Sequence, residues 1–259
     1  MTRARCEQAV ILAAGRGSRM GHLTDEIPKC LCALAGRRII DWTLDALRAN
    51  GIRRVVIVAG WKHESLVDIA DAMIDNRNWA SVNMVRSLQL AADVLARAPT
   101  LIAYGDGAYG ASAISAAVEA ADHDIIVPVD VRWLELWRRR FSDPLDDAET
   151  LTRDGDRITN IGQRPASLDA IEGQFMGLLR LNPDGWTRIV GWLDRAETAR
   201  GKAAIDRLDM TGMLQGLIES GEDVRSIEIN GGWVEIDSAE DVGVIERCIE
   251  NRGFSHDFR

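Results

Sequence analysis

The densest chemistry in this chain lies near its start. The apolar run 8–13, with Val10 and Ile11 at its centre, leads into Leu12-Ala13-Ala14-Gly15-Arg16-Gly17-Ser18-Arg19-Met20, and Pro28-Lys29 follows. Glycines let a loop approach a ligand closely, and its backbone N–H groups can then point at phosphate oxygens. Arg16, Arg19 and Lys29 add positive charge for β- and γ-phosphates. The spacing matches neither GxxxxGK[ST] nor GxGxxG, so the loop is neither a Walker A motif nor a dinucleotide fingerprint. An ordinary tight turn with solvated arginines is the plain alternative. The position after a first strand and the three cations favour phosphate binding.

Two acidic sites lie far apart in sequence. Tyr104-Gly105-Asp106 ends one predicted strand and Glu235-Ile236-Asp237 ends another. Magnesium takes hard oxygen ligands and shares nucleotide phosphates, so Asp106, Glu235 and Asp237 are candidate metal ligands. Each could equally be a solvated turn acid, or for Asp237 a residue at a helix start. His22, His63, His123 and His256 form no pattern with a nucleophile and are given no role.

The loop with its following Pro-Lys resembles the signature of the nucleotidyltransferase superfamily that includes sugar-phosphate and phosphocholine transferases. The resemblance implies that the loop, through Leu12, Ala13, Ala14, Gly15, Arg16 and Gly17 with Gly105, holds a nucleoside triphosphate. It makes Lys29 and Arg19 catalytic through charge neutralisation, and it selects the metal reading, with Mg2+ as cofactor. Further segments narrow it: Asn83-Met84-Val85-Arg86-Ser87-Leu88, Asp130-Val131-Arg132-Trp133 with Trp137 and Arg140, Asp143-Pro144-Leu145-Asp146-Asp147-Ala148-Glu149, and Gly173-Gln174-Phe175-Met176-Gly177-Leu178. Together these are similar to the phosphonate cytidylyltransferase branch, which activates 2-aminoethylphosphonate with CTP. Gly107 stands where that branch tends to carry a bulkier apolar residue.

That resemblance implies a reaction: CMP passes from CTP to a small phosphonate and pyrophosphate leaves. It points Asn83 and Ser87, four apart, at the base or ribose of the nucleotide, although they could simply cap the helix. It assigns the acceptor to Asp130, Trp133, Trp137, Asp147, Ala148 and Glu149. The acids would meet an ammonium. Trp133 and Trp137 share a helix face and would offer a cation–π wall, or simply pack. Two other readings stand beside this one: the same chemistry on phosphocholine or a sugar 1-phosphate, and a non-catalytic nucleotide-sensing subunit.

These residues need elements to position them. Apolar runs at 8–13, 55–59, 100–104 and 125–129 read as buried strands. Helical spacing recurs at 39–50, 63–74, 83–97 and 112–121, with a short strand near Ser81-Val82. The alternation implies an α/β fold, a Rossmann-like mostly parallel sheet of the nucleotidyltransferase type. The loops after Ala13, Tyr104 and Val129 should then face one cleft. From 131 to 180 the pattern is less regular, with a hairpin at 152–161 turning at Asp154-Gly155, and reads as an acceptor-binding insertion within a single domain spanning 1–259. Helices near 186–199 and 211–219 follow, then strands at 224–229 and 233–236. Ser238 caps the last helix, with Asp241 three residues on as an imperfect capping box.

Composition sets the outer bounds. An apolar fraction of 46% suits a globular core. Thirty-one basic against 40 acidic residues, a net charge of −9, argues against nucleic-acid binding. No run is long enough to span a membrane, and the N-terminal stretch reads without a signal peptide, so a cytoplasmic setting is expected. Cys6, Cys30, Cys32 and Cys248 read as reduced thiols. The partners expected are small molecules, with a homodimer left open.

Overall fold

The structure is a computed structural model, and it describes residues 5–121 and 123–259. Of the basic residues that entered the reading of the N-terminus, Arg3 lies outside the described residues. The strands are β1 (Gln8–Ala13), β2 (Ala33–Leu34), β3 (Arg37–Arg38), β4 (Arg54–Ala59), β5 (Ala72–Asp75), β6 (Thr100–Tyr104) and β7 (Gly107–Tyr109) in the first half. The second half adds β8 (Ile125–Asp130), β9 (Leu151–Asp154), β10 (Arg157–Ile161), β11 (Gln174–Phe175), β12 (Leu178–Leu181), β13 (Val224–Ile229) and β14 (Trp233–Glu235). The helices are α1 (Ile39–Ala49), α2 (Met84–Leu90), α3 (Ala92–Leu95), α4 (Ala111–Glu119) and α5 (Trp133–Arg140), then α6 (Pro183–Arg200), α7 (Lys202–Asp206), α8 (Met210–Glu219) and α9 (Ala239–Ile249).

The main sheet runs β5-β4-β1-β6-β12-β8-β13-β10-β9, with β11 beside β8. β5, β4, β1 and β6 are mutually parallel, and β13 is parallel to β8. β12 is antiparallel to both β6 and β8. The fold is therefore α/β with a mostly parallel central sheet. Every residue of β1 is buried, because helices cover both faces. Ala9, Ile11 and Ala13 pack on one face with residues of α1, α4 and α9. Val10 and Leu12 pack on the other with α2, α6 and α8. The twofold alternation of a strand divides one apolar run between two cores.

After β1 the chain goes to β4 and β5 on one side, then crosses to β6 on the other. A switch of this kind opens a crevice beyond the carboxyl ends of the two central strands. The Gly105 amide, just past β6, donates to the Leu12 carbonyl at 2.9 Å and fastens the two loops together there.

Some expected elements differ. The helix expected over 63–74 is a short 3-10 turn at His63–Leu66 followed by β5. Asp68 sits at φ 65°, which breaks a helix, and Asp71 turns inward so that its carboxylate accepts the Val55 amide. Pairing along β4 thus overrides helical spacing. Ser81 and Val82 form a turn rather than a strand, and the helix expected over 83–97 breaks at Ala91 into α2 and α3. The hairpin forms as β9 and β10, with Asp154 opposite Arg157. Within residues 131–180, β9 and β10 extend the main sheet, and β12, which begins at Leu178, lies in its middle. Among the described residues no helix is long and apolar enough to cross a membrane.

Candidate active site

Gly17 has φ 68°, and a Cβ there would lie 2.7 Å from the Lys29 Cδ. Only glycine lets the Lys29 stem run beneath the loop. The lysine is almost fully buried, and its Nζ lies 2.7 Å from Asp106 Oδ2 and 2.9 Å from Asp237 Oδ1. Residues more than 200 apart in sequence thus meet as the notional phosphate loop and the two acidic strand ends converge. Two backbone features bring the acids together. β7 pairs with β14, placing Gly107 opposite Glu235, and the Ile236 amide donates to the Asp106 carbonyl at 3.1 Å.

Asp106, Glu235 and Asp237 each offer one oxygen, all within 4.8 Å of one another. Burial pushes the Glu235 carboxyl well above its ordinary range, and the neighbouring carboxylates of Asp237 and Asp106 push it further. A bound cation would relieve that repulsion, and hard carboxylate oxygens are what magnesium takes. The donor set therefore fits Mg2+. For Lys29, burial works against the charge, but Asp106, Asp237 and Glu235 more than offset it and hold the ammonium above its usual range. Asp237 is likewise depressed despite its burial, by Lys29, Arg140 and Arg19.

Arg140 is the residue that carried no assigned role. Its side chain has no exposed surface, and it reaches Asp237 Oδ2 at 3.0 Å through Nη2 and Asp241 Oδ1 at 2.9 Å through Nε. Nη1 lies 3.7 Å from Glu235 Oε2. Its presence in the sequence segment with Trp137 was the one available signal, since an arginine in a run of three shows nothing of burial. Asp241 also completes the capping box of α9 with Ser238, so one carboxylate starts the helix and anchors Arg140.

Two cavities meet at this cluster. The first, about 300 Å³, is lined by Leu12, Ala13, Ala14, Gly15, Gly17, Lys29 and Gly105, and on its far wall by Asn83 and Ser87. Trp79, Val82, Met84 and Tyr104 also line it and were not anticipated. Arg16 does not. It pairs with Asp25 at 2.8 Å and stacks over Trp61 in solvent. Asn83 caps α2, accepting from the Met84 amide, and donates to the Arg207 carbonyl, which leaves one amide proton and one lone pair at the cavity. Ser87 is buried and its Oγ accepts from Asn76 Nδ2 at 2.9 Å, which leaves its own proton to donate.

The second cavity, about 260 Å³, shares Arg19, Met84, Tyr104, Glu235 and Asp237 with the first. Its own wall carries Trp137, Asp147, Glu149, Gln174 and Asp209. Burial raises the carboxyls of Asp147 and Glu149. The Trp137 Nε1 is buried with no hydrogen-bond partner among the described residues.

The other acceptor assignments are corrected. Asp130 is wholly buried away from both cavities. It accepts from Trp233 Nε1 at 2.9 Å, from the Arg132 and Gly231 amides, and pairs with His256 Nε2 at 2.6 Å. A buried carboxylate with four partners is fully satisfied and offers nothing to a ligand. So the loop after Val129 contributes to the frame rather than to the cleft. Trp133 is core, meeting Trp137 edge to face at 77°. No two-sided aromatic wall forms, because Arg140 lies over the Trp137 ring at 5.6 Å. Ala148 packs in the core and lines neither cavity. Gly107 is explained by Tyr109: a Cβ at Gly107 would sit 2.4 Å from that ring, which fills the space itself.

A parallel-sheet crevice holding a glycine-arginine loop, a buried lysine and three convergent carboxylates defines a nucleotide-binding enzyme of the phosphoryl-handling kind. The chain belongs to the MobA-like NTP transferase domain family, whose model matches residues 9–164. It is 32% identical over 250 residues to the CTP:phosphoglutamine cytidylyltransferase of Campylobacter jejuni, covering 91% of this chain and 98% of that one. It is 31% identical over 103 residues to the 2-aminoethylphosphonate cytidylyltransferase of Lancefieldella rimae, covering 38% of this chain and 42% of that one. Among solved structures, the CTP:phosphocholine cytidylyltransferase of Streptococcus pneumoniae shares the fold with a TM-score of 0.72 and 21% identity, over 95% of this chain and 99% of that one.

Proposed function

We propose that this protein is a cytidylyltransferase that joins CMP from CTP to a small acceptor carrying a phosphoryl or phosphonyl group and an ammonium, with release of pyrophosphate. The observation that carries the reading is that Arg19, Glu235 and Asp237 line both cavities, with Lys29 bonded to Asp237 from the first, so that a donor in one and an acceptor in the other would react between them. Asp106, Glu235 and Asp237 would hold Mg2+, which supplies charge neutralisation at the transferring phosphoryl group.

The chain's residues do the rest by alignment and electrostatics. The backbone of Ala13 to Gly17 cradles the triphosphate, and Ser87 donates its free hydroxyl proton to an acceptor atom of the base. Lys29 and Arg19 neutralise the α-phosphate as an acceptor oxygen attacks in line and pyrophosphate departs. The second ionisation of phosphate esters lies at about pH 6, so the nucleophile is already anionic and no general base is required. Trp137 Nε1 has a proton to give to an acceptor oxygen.

Asp147 and Glu149, uncomfortable in their buried setting, favour an ammonium, which would restore their charged forms. That argues against a neutral sugar. Phosphoglutamine is the first acceptor to try, since the relative named for it matches over nearly the whole chain. 2-Aminoethylphosphonate is the second, on the shorter match. The test is pyrophosphate release from each of the four NTPs with magnesium and phosphoglutamine, 2-aminoethylphosphonate, phosphocholine or glucose 1-phosphate. The expected result is release with CTP and an amine-bearing acceptor. Nucleotide binding with no release from any pair would favour a nucleotide-sensing subunit instead.

A further inference from the structure

We infer that Lys29 is the resident counter-cation of the carboxylate triad, and that a divalent cation enters only as the nucleotide draws this ammonium away. This rests on the function proposed above and adds an order of binding to it. The Lys29 Nζ touches one oxygen of Asp106 and one of Asp237, two of the three carboxylates whose oxygens converge. A cation held by those carboxylates would lie close to a positive charge, and the two compete for Asp106 and Asp237.

The neighbouring cations are not equivalent. Arg140 is fixed: its side chain is fully buried, bonded to Asp241 and Asp237, and lies within 5.6 Å of the Trp137 and Phe141 ring centres. It holds Asp237 by Oδ2 and leaves Oδ1 free for exchange. Arg19 reaches Oδ1 at 2.8 Å from a side chain that is 67% exposed, so it can retreat to water at little cost. Lys29 has no such exit. Its side chain is 10% exposed, and the cavity beside it is the one lined by the phosphate loop. The triphosphate is therefore the partner that can take the ammonium over. Metal and nucleotide then strengthen one another's binding, and the free metal binds weakly.

Mn2+ is the probe, followed by its paramagnetic resonance in the nucleotide-free protein. The wild type should bind Mn2+ weakly, and CTP without an acceptor should tighten it. Lys29→Met should bind Mn2+ alone about tenfold more tightly than the wild type, and CTP should add little further. Lys29→Gln, which keeps an amide to bond the carboxylates without charge, should show the same direction and serves if the methionine variant fails to fold. Adding Asp106→Asn to either should abolish the gain. Equal or weaker Mn2+ binding by folded Lys29 variants would overturn the inference alone. A wild type that binds no Mn2+ even with CTP would overturn the metal reading beneath it.

Discussion

Asp237 divides its two oxygens between a permanent partner and exchangeable ones, and that division shows what single residues contribute here. Arg140 keeps Oδ2, while Lys29 and Arg19 share Oδ1. Asp106 has no comparable clamp, so its side chain is the better one to change without disturbing the frame. Asp106→Asn should lower kcat by about 100-fold or more while leaving the melting temperature near that of the wild type, checked by pyrophosphate release and calorimetry. Near-normal turnover would remove Asp106 from the reaction. Ser87→Ala deletes one donor in the first cavity and, if that cavity takes the nucleotide as proposed, should raise the KM for CTP by about tenfold with kcat little changed. Thiol chemistry gives a separate check. Burial, with Asp106 nearby, pushes Cys30 up to about 12, so at pH 8 it stays a thiol and should resist alkylation until the protein unfolds. Rapid labelling of Cys30 in the native protein would contradict this burial.

At the scale of elements, the site depends on a short antiparallel pair. β7 and β14 bring a carboxylate from mid-chain beside two from near its end, and Tyr109 stacks on Trp233 behind them with ring centres 6.1 Å apart. The Tyr109 hydroxyl donates to the Met176 carbonyl, which ties this pair to the loop before β12. Gly107→Val should displace that ring, cost about 1–3 kcal/mol of stability and lower kcat through Glu235, its pairing partner. Thermal melts and steady-state rates together measure both effects. The same scale explains the helix expected over 63–74. Its apolar spacing was real, yet the free edge of β4 offered backbone pairing that a helix could not use, and β5 took it.

Across the whole molecule, the C-terminal segment is fastened to the middle of the chain by buried polar pairs. His256 has no exposed surface and joins Asp130, while Arg140 joins Asp241 at the start of α9. Both pairs lie close to the acidic strand end without entering the cavities. His256→Ala would leave the buried Asp130 side chain short of a hydrogen-bond partner and should cost about 2 kcal/mol, lowering the melting temperature by roughly 5 °C. Burial works against the Asp241 carboxylate, but Arg140 more than offsets it and holds the group below its ordinary 3.8. A depressed carboxylate stabilises the fold above its unfolded value and loses that contribution as pH falls through the folded one. The melting difference between wild type and Asp241→Asn should therefore be full at pH 7 and shrink as pH drops below about 3.8. A difference independent of pH would show that the ion pair is not its source.

Local signals carried much of this protein. Runs of apolar residues marked β1, β4, β6 and β8 because strands buried on both faces admit little else. That Lys29 and the acids at 106, 235 and 237 would converge was legible because the residue types and strand ends that phosphate and metal chemistry would need are few. Burial and partnership were not legible. Asp130 and Asp147 are both acids in the same stretch, yet one is sealed by Trp233 and His256 and the other lines a cavity. Trp133 and Trp137 share a helix face, yet only one reaches that cavity. Arg140 reads as one of three adjacent arginines, and only its place between α5, β14 and α9 makes it the fixed partner of Asp237. A side chain's type is a property of the sequence, but what it faces is set by segments a hundred or more residues away, and only the assembled sheet brings them into contact.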